Sequence, residues 1–262
     1  MIEETPHSSP TDLSFRQRLL KEEPLLGTFQ KTPSSIVAEV LGHTPLDVVC
    51  IDAEHAPFGR LELDSCIFAL RAAGMPSLVR VPSSAPAEIL SALDCGATGV
   101  VIPHVCSADD ARAVARAARF GRGGRGYAGS TRAAEYTCKP MREHQADSLA
   151  DTVVVVQIED IEAVDAIEEI AAVEGIDCLF VGRIDLTVAL GAEGPNAPEV
   201  IEAVERVCEA GVAANKPVGM FVPSVDEVAV WREKGASLFL LSSDHSFMLQ
   251  GAKSMMLAFK GR

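Results

Sequence analysis

The apolar positions of this chain fall into short unbroken runs, not into the alternation of half-exposed strands. Aliphatic and β-branched residues fill "LLGTF" (25–29), "DVVCI" (47–51), "SLVRV" (77–81), "TGVVI" (98–102), "TVVVVQI" (152–158), "DCLFV" (177–181), "PVGMF" (217–221) and "SLFLL" (237–241). Between them, alanine and charged residues recur at helical spacing, best seen in "PAEILSALDCG", "SADDARAVARAARF", "IEAVDAIEEIAAVEG" and "APEVIEAVERVCEAGVAAN". Unbroken apolar strands are buried on both faces, as in parallel sheets covered by helices. Eight strand–helix units predict an α/β fold closed as a single (β/α)8 barrel over residues 1–262, with a doubly wound open sheet as the competing arrangement. No long repeat or linker divides the chain, and about residues 1–15 are expected to form a frayed polar tail.

Composition narrows the function classes. A chain of 262 residues with 48% hydrophobic content can bury one large core. Its net charge of −14 provides no electrostatic footprint for nucleic acid or an anionic membrane, so any anionic substrate needs a local positive site. Seven scattered cysteines, with no Cys-x-x-Cys pair and no zinc spacing, point to reduced thiols in the cytoplasm. No apolar run approaches 18 residues, and the amino-terminal segment "MIEETPHSSPTD" lacks a signal-peptide core, so a soluble protein is expected.

Active sites of such barrels lie where the strands end. At that rim the sequence places Asp52, Glu54 and His55 after the second strand, Arg80 near the end of the third, Gln157 and Glu159 at the close of the fifth, and Asp185 after the sixth. Taken singly, His55 reads as a hydrogen-bonded loop residue, Glu159 as a helix-starting carboxylate and Asp185 as a helix cap. Arg80, among apolar strand residues, needs a partner. Their coincidence at one rim favours chemistry. Glu159 and Asp185 suit an octahedral Mg²⁺ or Mn²⁺ that keeps waters and accepts substrate oxygens. Such an ion can chelate a 2-oxo acid and act as Lewis acid for its enolate. Arg80 would face the enolate oxygen and His55 would move the proton. Gln157 and the backbone N–H of Ile184 or Asp185 would bind the substrate carboxylate.

At these residues the sequence resembles the HpcH/HpaI aldolase family of metal-dependent pyruvate aldolases. The resemblance is carried by "IDAEHAP", "LVRVP", "LDCGATGVVIPHV", "VVQIED", "VEGIDCLFVGRIDLT" and "LGAEGP", and runs from about Gly27 to "SSDHSFMLQGA". It implies reversible cleavage of a 4-hydroxy-2-oxo acid to an aldehyde and pyruvate or hydroxypyruvate, with Mg²⁺, Mn²⁺ or Co²⁺ as cofactor. It further implies His55 as general base, Arg80 as transition-state stabiliser, Glu159 and Asp185 as metal ligands, and Gln157, Ile184 and Asp185 as substrate contacts. Asp94, in "SALDCG", matches the carboxylate that raises the basicity of the histidine, and Asp52 is a second candidate for holding the imidazole. A homo-oligomer, a hexamer by the same resemblance, is implied as well. The chain departs from the family pattern at Arg183 and Ile184, where a proline and a small residue are common.

Other signals carry less. "GRGGRG" contains a G-x-G-x-x-G at Gly121, Gly123 and Gly126, but it follows a helix and not a strand, so a dinucleotide fingerprint is rejected. In the same segment Arg122, Arg125 or Arg132 is a weak candidate for an acceptor's anionic group, against the alternative of a solvated loop. His104 lies at the productive rim without an obvious partner, and "SSDH" (242–245) reads as the cap of the last helix. A metal-dependent thioester lyase like the citrate-lyase β relatives, another enolate-forming carbon–carbon bond enzyme, and a non-catalytic binding barrel stand as alternatives. The intact set of base, arginine and carboxylates disfavours the last.

Overall fold

The computed structural model describes residues 13–261 and closes eight parallel strands into one barrel in chain order. The strands are β1 (Leu25–Gln30), β2 (Val48–Asp52), β3 (Ser77–Arg80), β4 (Gly99–Ile102), β5 (Val153–Ile158), β6 (Cys178–Val181), β7 (Val218–Val222) and β8 (Ala236–Ser243). Every predicted run is a strand; the largest boundary change is at β8, which continues through Leu241 to Ser243 beside β1. The anticipated tail lies outside the described residues as far as position 12. Ser14 is already ordered, as the cap of a short helix, Phe15–Leu20, in a reciprocal capping box with Gln17.

The two side-chain parities of each strand fill two cores. Val49, Ile51, Val79, Val100, Val154, Val156, Leu179 and Phe239 point outward and pack against the helices. Val48, Cys50, Leu78, Val101, Val155, Phe180, Leu238 and Leu240 point inward, with Phe15 and Leu19 of the first helix packed against them. Because strand side chains alternate with a period of two, the inward parity continued to the strand ends carries Asp52, Arg80 and Gln157 into the mouth of the barrel.

Beneath the barrel, Asp177, one residue before β6, is buried and fully paired. Its Oδ1 accepts from Arg16 Nε (3.0 Å) and Nη2 (2.7 Å), and its Oδ2 accepts from Arg119 Nη2 (3.0 Å) and the backbone N–H of Val154 (2.8 Å). Segment 119–140 leads from the helix Ala108–Ala118 to the helix Met141–Asp151 that precedes β5, and Arg119 anchors it at this end by donating to Thr152 O (2.9 Å) and to Asp177. There Arg125 stacks over Phe120 and pairs with Asp94, while Arg132 pairs with Asp64 (2.6 Å) and stacks over Phe68. These arginines are structural, and the weak suggestion that Arg125 or Arg132 meets an acceptor at the rim is corrected; Arg122 is exposed on the same segment.

Candidate active site

Asp52 and Arg80 are register partners across β2 and β3, so adjacent strands deliver them to the mouth at one level. Asp52 is fully buried and accepts Arg80 Nε (3.0 Å) and Nη2 (2.8 Å) in a bidentate pair, together with the backbone N–H of His55 (3.1 Å). Lys31, just past β1, adds its ammonium 3.2 Å from Asp52 Oδ2. Burial alone would push the Asp52 carboxyl up, but the donors and charge of Arg80 outweigh it and hold the group below the usual carboxylate range. Asp52 therefore orients Arg80 and the His55 backbone; it does not hold the imidazole.

Glu54 lies beside this pair. Its Oε2 is 3.3 Å from Arg80 Nε and 3.6 Å from His55 Nε2, at ion-pair range, yet this buried atom makes no hydrogen bond. Burial pushes its carboxyl above the ordinary glutamate value, offset in part by the Arg80 charge. The His55 ring is largely open to the cavity, as a proton carrier must be.

Across the mouth, Gln157 lies one residue before the end of β5 and Glu159 just past it, both buried. Glu159 Oε1 accepts the backbone N–H of His104 (2.8 Å), and Oε2 accepts a short hydrogen bond from Gln157 Nε2. His104 has a left-handed backbone, φ 53°, an uncommon conformation for a residue with a side chain. Its ring Nδ1 lies 3.0 Å from Asp160 Oδ2, which raises the imidazole above its ordinary value. Sequence reading found no partner for this histidine; Asp160, Glu159 and Glu54 are those partners. Glu54, His104 and Glu159 each offer a ligand atom within 4.8 Å of the others.

Asp185 joins Glu159 through Gly182. A Cβ on Gly182 would stand 2.7 Å from Glu159 Cβ, 3.1 Å from Glu159 Oε2 and 3.3 Å from Asp185 Oδ2, so only glycine lets the two carboxylates converge there. An all-oxygen cradle of this kind, with the Gln157 Oε1 buried and unpartnered nearby, fits a hard divalent ion with open coordination positions.

A cavity of about 810 Å³ covers the mouth, and His55, Arg80, Gln157, Ile184 and Asp185 all line it. Glu159 lies just beneath, behind Gly182. Ile184 is half exposed at the cavity wall. Arg183 is instead buried, paired with Glu227 Oε2 at 2.6 Å over the Trp231 ring, so it ties the β6 loop to the β7 loop. Asp94 is not part of this assembly. It ends the helix Pro86–Asp94, which runs back from the rim, and it is bound to Arg125 at the opposite end of the barrel.

The model of the HpcH/HpaI aldolase/citrate lyase family matches residues 25–250. The chain belongs to this family. It is 33% identical to a hydroxypyruvate/pyruvate aldolase of Paraburkholderia phytofirmans, over 91% of this chain and 94% of that protein. It is 32% identical to a 2-dehydro-3,6-dideoxy-6-sulfogluconate aldolase of Pseudomonas putida, over 93% of this chain and 96% of the relative. Among solved structures, an HpcH/HpaI aldolase/citrate lyase family protein from Burkholderia cenocepacia superimposes with a TM-score of 0.88 at 37% identity, covering 94% of this chain and 98% of that one. This family member is thus an enzyme of carbon–carbon lyase type built on a parallel eight-stranded barrel.

Proposed function

We propose that the protein is a divalent-metal-dependent aldolase that reversibly cleaves a 4-hydroxy-2-oxo acid to an aldehyde and pyruvate or hydroxypyruvate. The observation that carries this reading is the convergence of Glu159 and Asp185 across Gly182, facing Arg80 and His55 in one cavity. Glu159 and Asp185 would hold Mg²⁺, Mn²⁺ or Co²⁺, with His104 and Glu54 next to the cradle. When bound, such an ion supplies Lewis acidity to the 2-oxo group.

The chain's own residues divide the remaining work. Arg80, fixed by two hydrogen bonds to Asp52, presents its guanidinium to the oxygen on which negative charge develops. Gln157 and the backbone N–H groups of Ile184 and Asp185, in the first turn of the helix after Gly182, orient the substrate carboxylate. His55 takes the proton from the 4-hydroxyl in cleavage and returns it in condensation. Its backbone is tethered to Asp52, so base and oxyanion donor are held by one carboxylate.

The same reading extends to the setting. A single barrel domain with seven free cysteines suits the cytoplasm, and no helix among the described residues is long and apolar enough to cross a membrane. The carboxy-terminal helix Asp244–Lys260 exposes Met248, Met255 and Phe259 along one side, each more than half accessible, a face that supports a homo-oligomer. The experiment is direct. Protein incubated with Mn²⁺ and a panel of 4-hydroxy-2-oxo acids should release pyruvate or hydroxypyruvate, read by coupled reduction. Release unaffected by exhaustive demetallation, or a Schiff base trapped by borohydride on Lys31 of the cavity wall, would refute the reading.

A further inference from the structure

The groups that serve the 2-oxo acid come from the ends of β2, β3, β5 and β6. A three-carbon donor fills little of about 810 Å³, and the cavity is also lined from the ends of β8 and β1. Beside Phe29, this part of the lining carries Lys31, Ser242, Ser243, His245, Ser246 and Gln250. We propose that Lys31 is a specificity-determining residue that selects aldehyde acceptors carrying an oxyanion, a carboxylate or a phosphate. The inference rests on the aldolase reading and names the acceptor class for it.

Lys31 is placed with care at both ends of its side chain. Its backbone N–H donates to Asp244 Oδ1 (2.8 Å), and that of Thr32 donates to Asp244 Oδ2 (2.9 Å); Asp244 is itself buried. The Lys31 side chain reaches back beside Arg80: the ammonium rests 3.2 Å from Asp52 Oδ2, the oxygen that also accepts Arg80 Nη2, and remains one-third exposed at the cavity. An ammonium has three donors, and Asp52 engages one side of it, which leaves N–H groups for a ligand. Asp52 does not depend on Lys31 for pairing, since Arg80 and the His55 backbone already donate to it.

The other cations of the cavity are committed. Arg80 is held by two hydrogen bonds to Asp52 and serves the donor's oxygen, and Arg183 is bound to Glu227. A chain of net charge −14 repels an anionic aldehyde at long range, so its capture needs a local positive group, and Lys31 is the ammonium placed for it.

The test uses matched acceptors in the condensation direction with pyruvate and Mn²⁺: succinic semialdehyde against butanal, and glyceraldehyde 3-phosphate against glyceraldehyde. The parent protein should favour the oxyanion-bearing member of at least one pair, and which pair responds tells a carboxylate from a phosphate. Lys31→Met should lower that kcat/KM ratio by roughly 10- to 100-fold, the scale of one charge-assisted hydrogen bond, mainly through the acceptor KM. Lys31→Arg should restore most of it. Gln250→Glu, an exposed change that keeps Lys31, should lower the ratio by adding a like charge to the same part of the lining, and carries the test if Lys31→Met does not fold. No preference in the parent, a ratio unmoved by these variants, or an equal fall for both members of each pair would overturn the proposal. Exchange of the pyruvate C3 protons with D₂O by the parent needs no acceptor and reports on the aldolase reading separately. Its absence sinks that reading; exchange with an unmoved ratio sinks only the role of Lys31.

Discussion

Asp177 and Glu159 are equally buried carboxylates, each about 3% exposed, at opposite ends of the same barrel, and the chain treats them in opposite ways. Below, Asp177 takes two guanidinium groups and a backbone N–H, so its charge is neutralised within the fold. Above, Glu159 takes a backbone N–H and an amide, with the largely exposed His104 ring 3.5 Å away, has no arginine or lysine partner among the described residues, and lies near two further carboxylates, Glu54 and Asp185. Burying a charge is costly unless it is paired. A closed network is what structure alone requires. An open one, with Glu54 Oε2 and Gln157 Oε1 left unpartnered, is what a site for an ion and a polar substrate requires.

The largest effect should come from the ion that completes the upper network. Chelation should abolish turnover reversibly, and Glu159→Gln should cut it on the order of 10⁴-fold, since several kcal/mol of charge stabilisation are at stake. Without metal, the melting temperature of Glu159→Gln should be no lower than the parent's, because the substitution removes a buried charge that no arginine or lysine neutralises and that lies beside two further carboxylates. A marked fall in that melting temperature would make Glu159 a structural carboxylate like Asp177 and erase the contrast.

His55→Ala should follow, with a loss of roughly 10²- to 10⁴-fold and a changed pH–rate profile. A profile that keeps its shape would remove His55 from proton transfer. Arg80→Ala should cost roughly 10²- to 10³-fold in turnover, the usual loss for one oxyanion donor. It also leaves the buried Asp52 with only Lys31 and the His55 backbone N–H, so stability falls too. The sign follows from the depressed Asp52 group: its stabilisation is present above the ordinary carboxylate range and is lost as pH falls through the lower folded value. Removing Arg80 removes that depression, and acid unfolding followed by circular dichroism should begin at higher pH than in the parent.

The strands and the rim were legible in the sequence for one reason: parallel strands buried on both faces leave unbroken apolar runs, and polar residues at their ends stand out. Asp52, Arg80, Gln157 and Asp185 could be placed at the rim on that ground. Register could not be read, and register is what makes Asp52 the partner of Arg80 instead of the orienter of the imidazole. Asp94 and the arginines of 119–140 follow helices, which sends them to the far end of the barrel, where a loop rich in glycine and arginine turns out to be packed on aromatic rings. Lys31 left no mark in "FQKTPSS", because a lone lysine after a strand looks the same whether it meets solvent or a buried aspartate.

The lower network supplies the smallest effect on turnover and the sharpest control. Asp177→Ala leaves Arg16 and Arg119 without their shared acceptor and the Val154 N–H without its bond, a broken buried ion pair of the kind that costs about 3–5 kcal/mol. In a chain of this size that is roughly 10 °C in melting temperature. None of these groups borders the cavity, so the folded variant, assayed with saturating Mn²⁺ well below its melting point, should keep its turnover within about twofold, the small change expected at a position that contacts neither substrate nor ion. Glu159→Gln and Asp177→Ala should therefore dissociate cleanly, one losing activity without stability and the other stability without activity. If Asp177→Ala lost turnover in proportion to its stability, the two ends of the barrel would be coupled, and equal burial with unequal pairing would no longer distinguish a binding site from a brace.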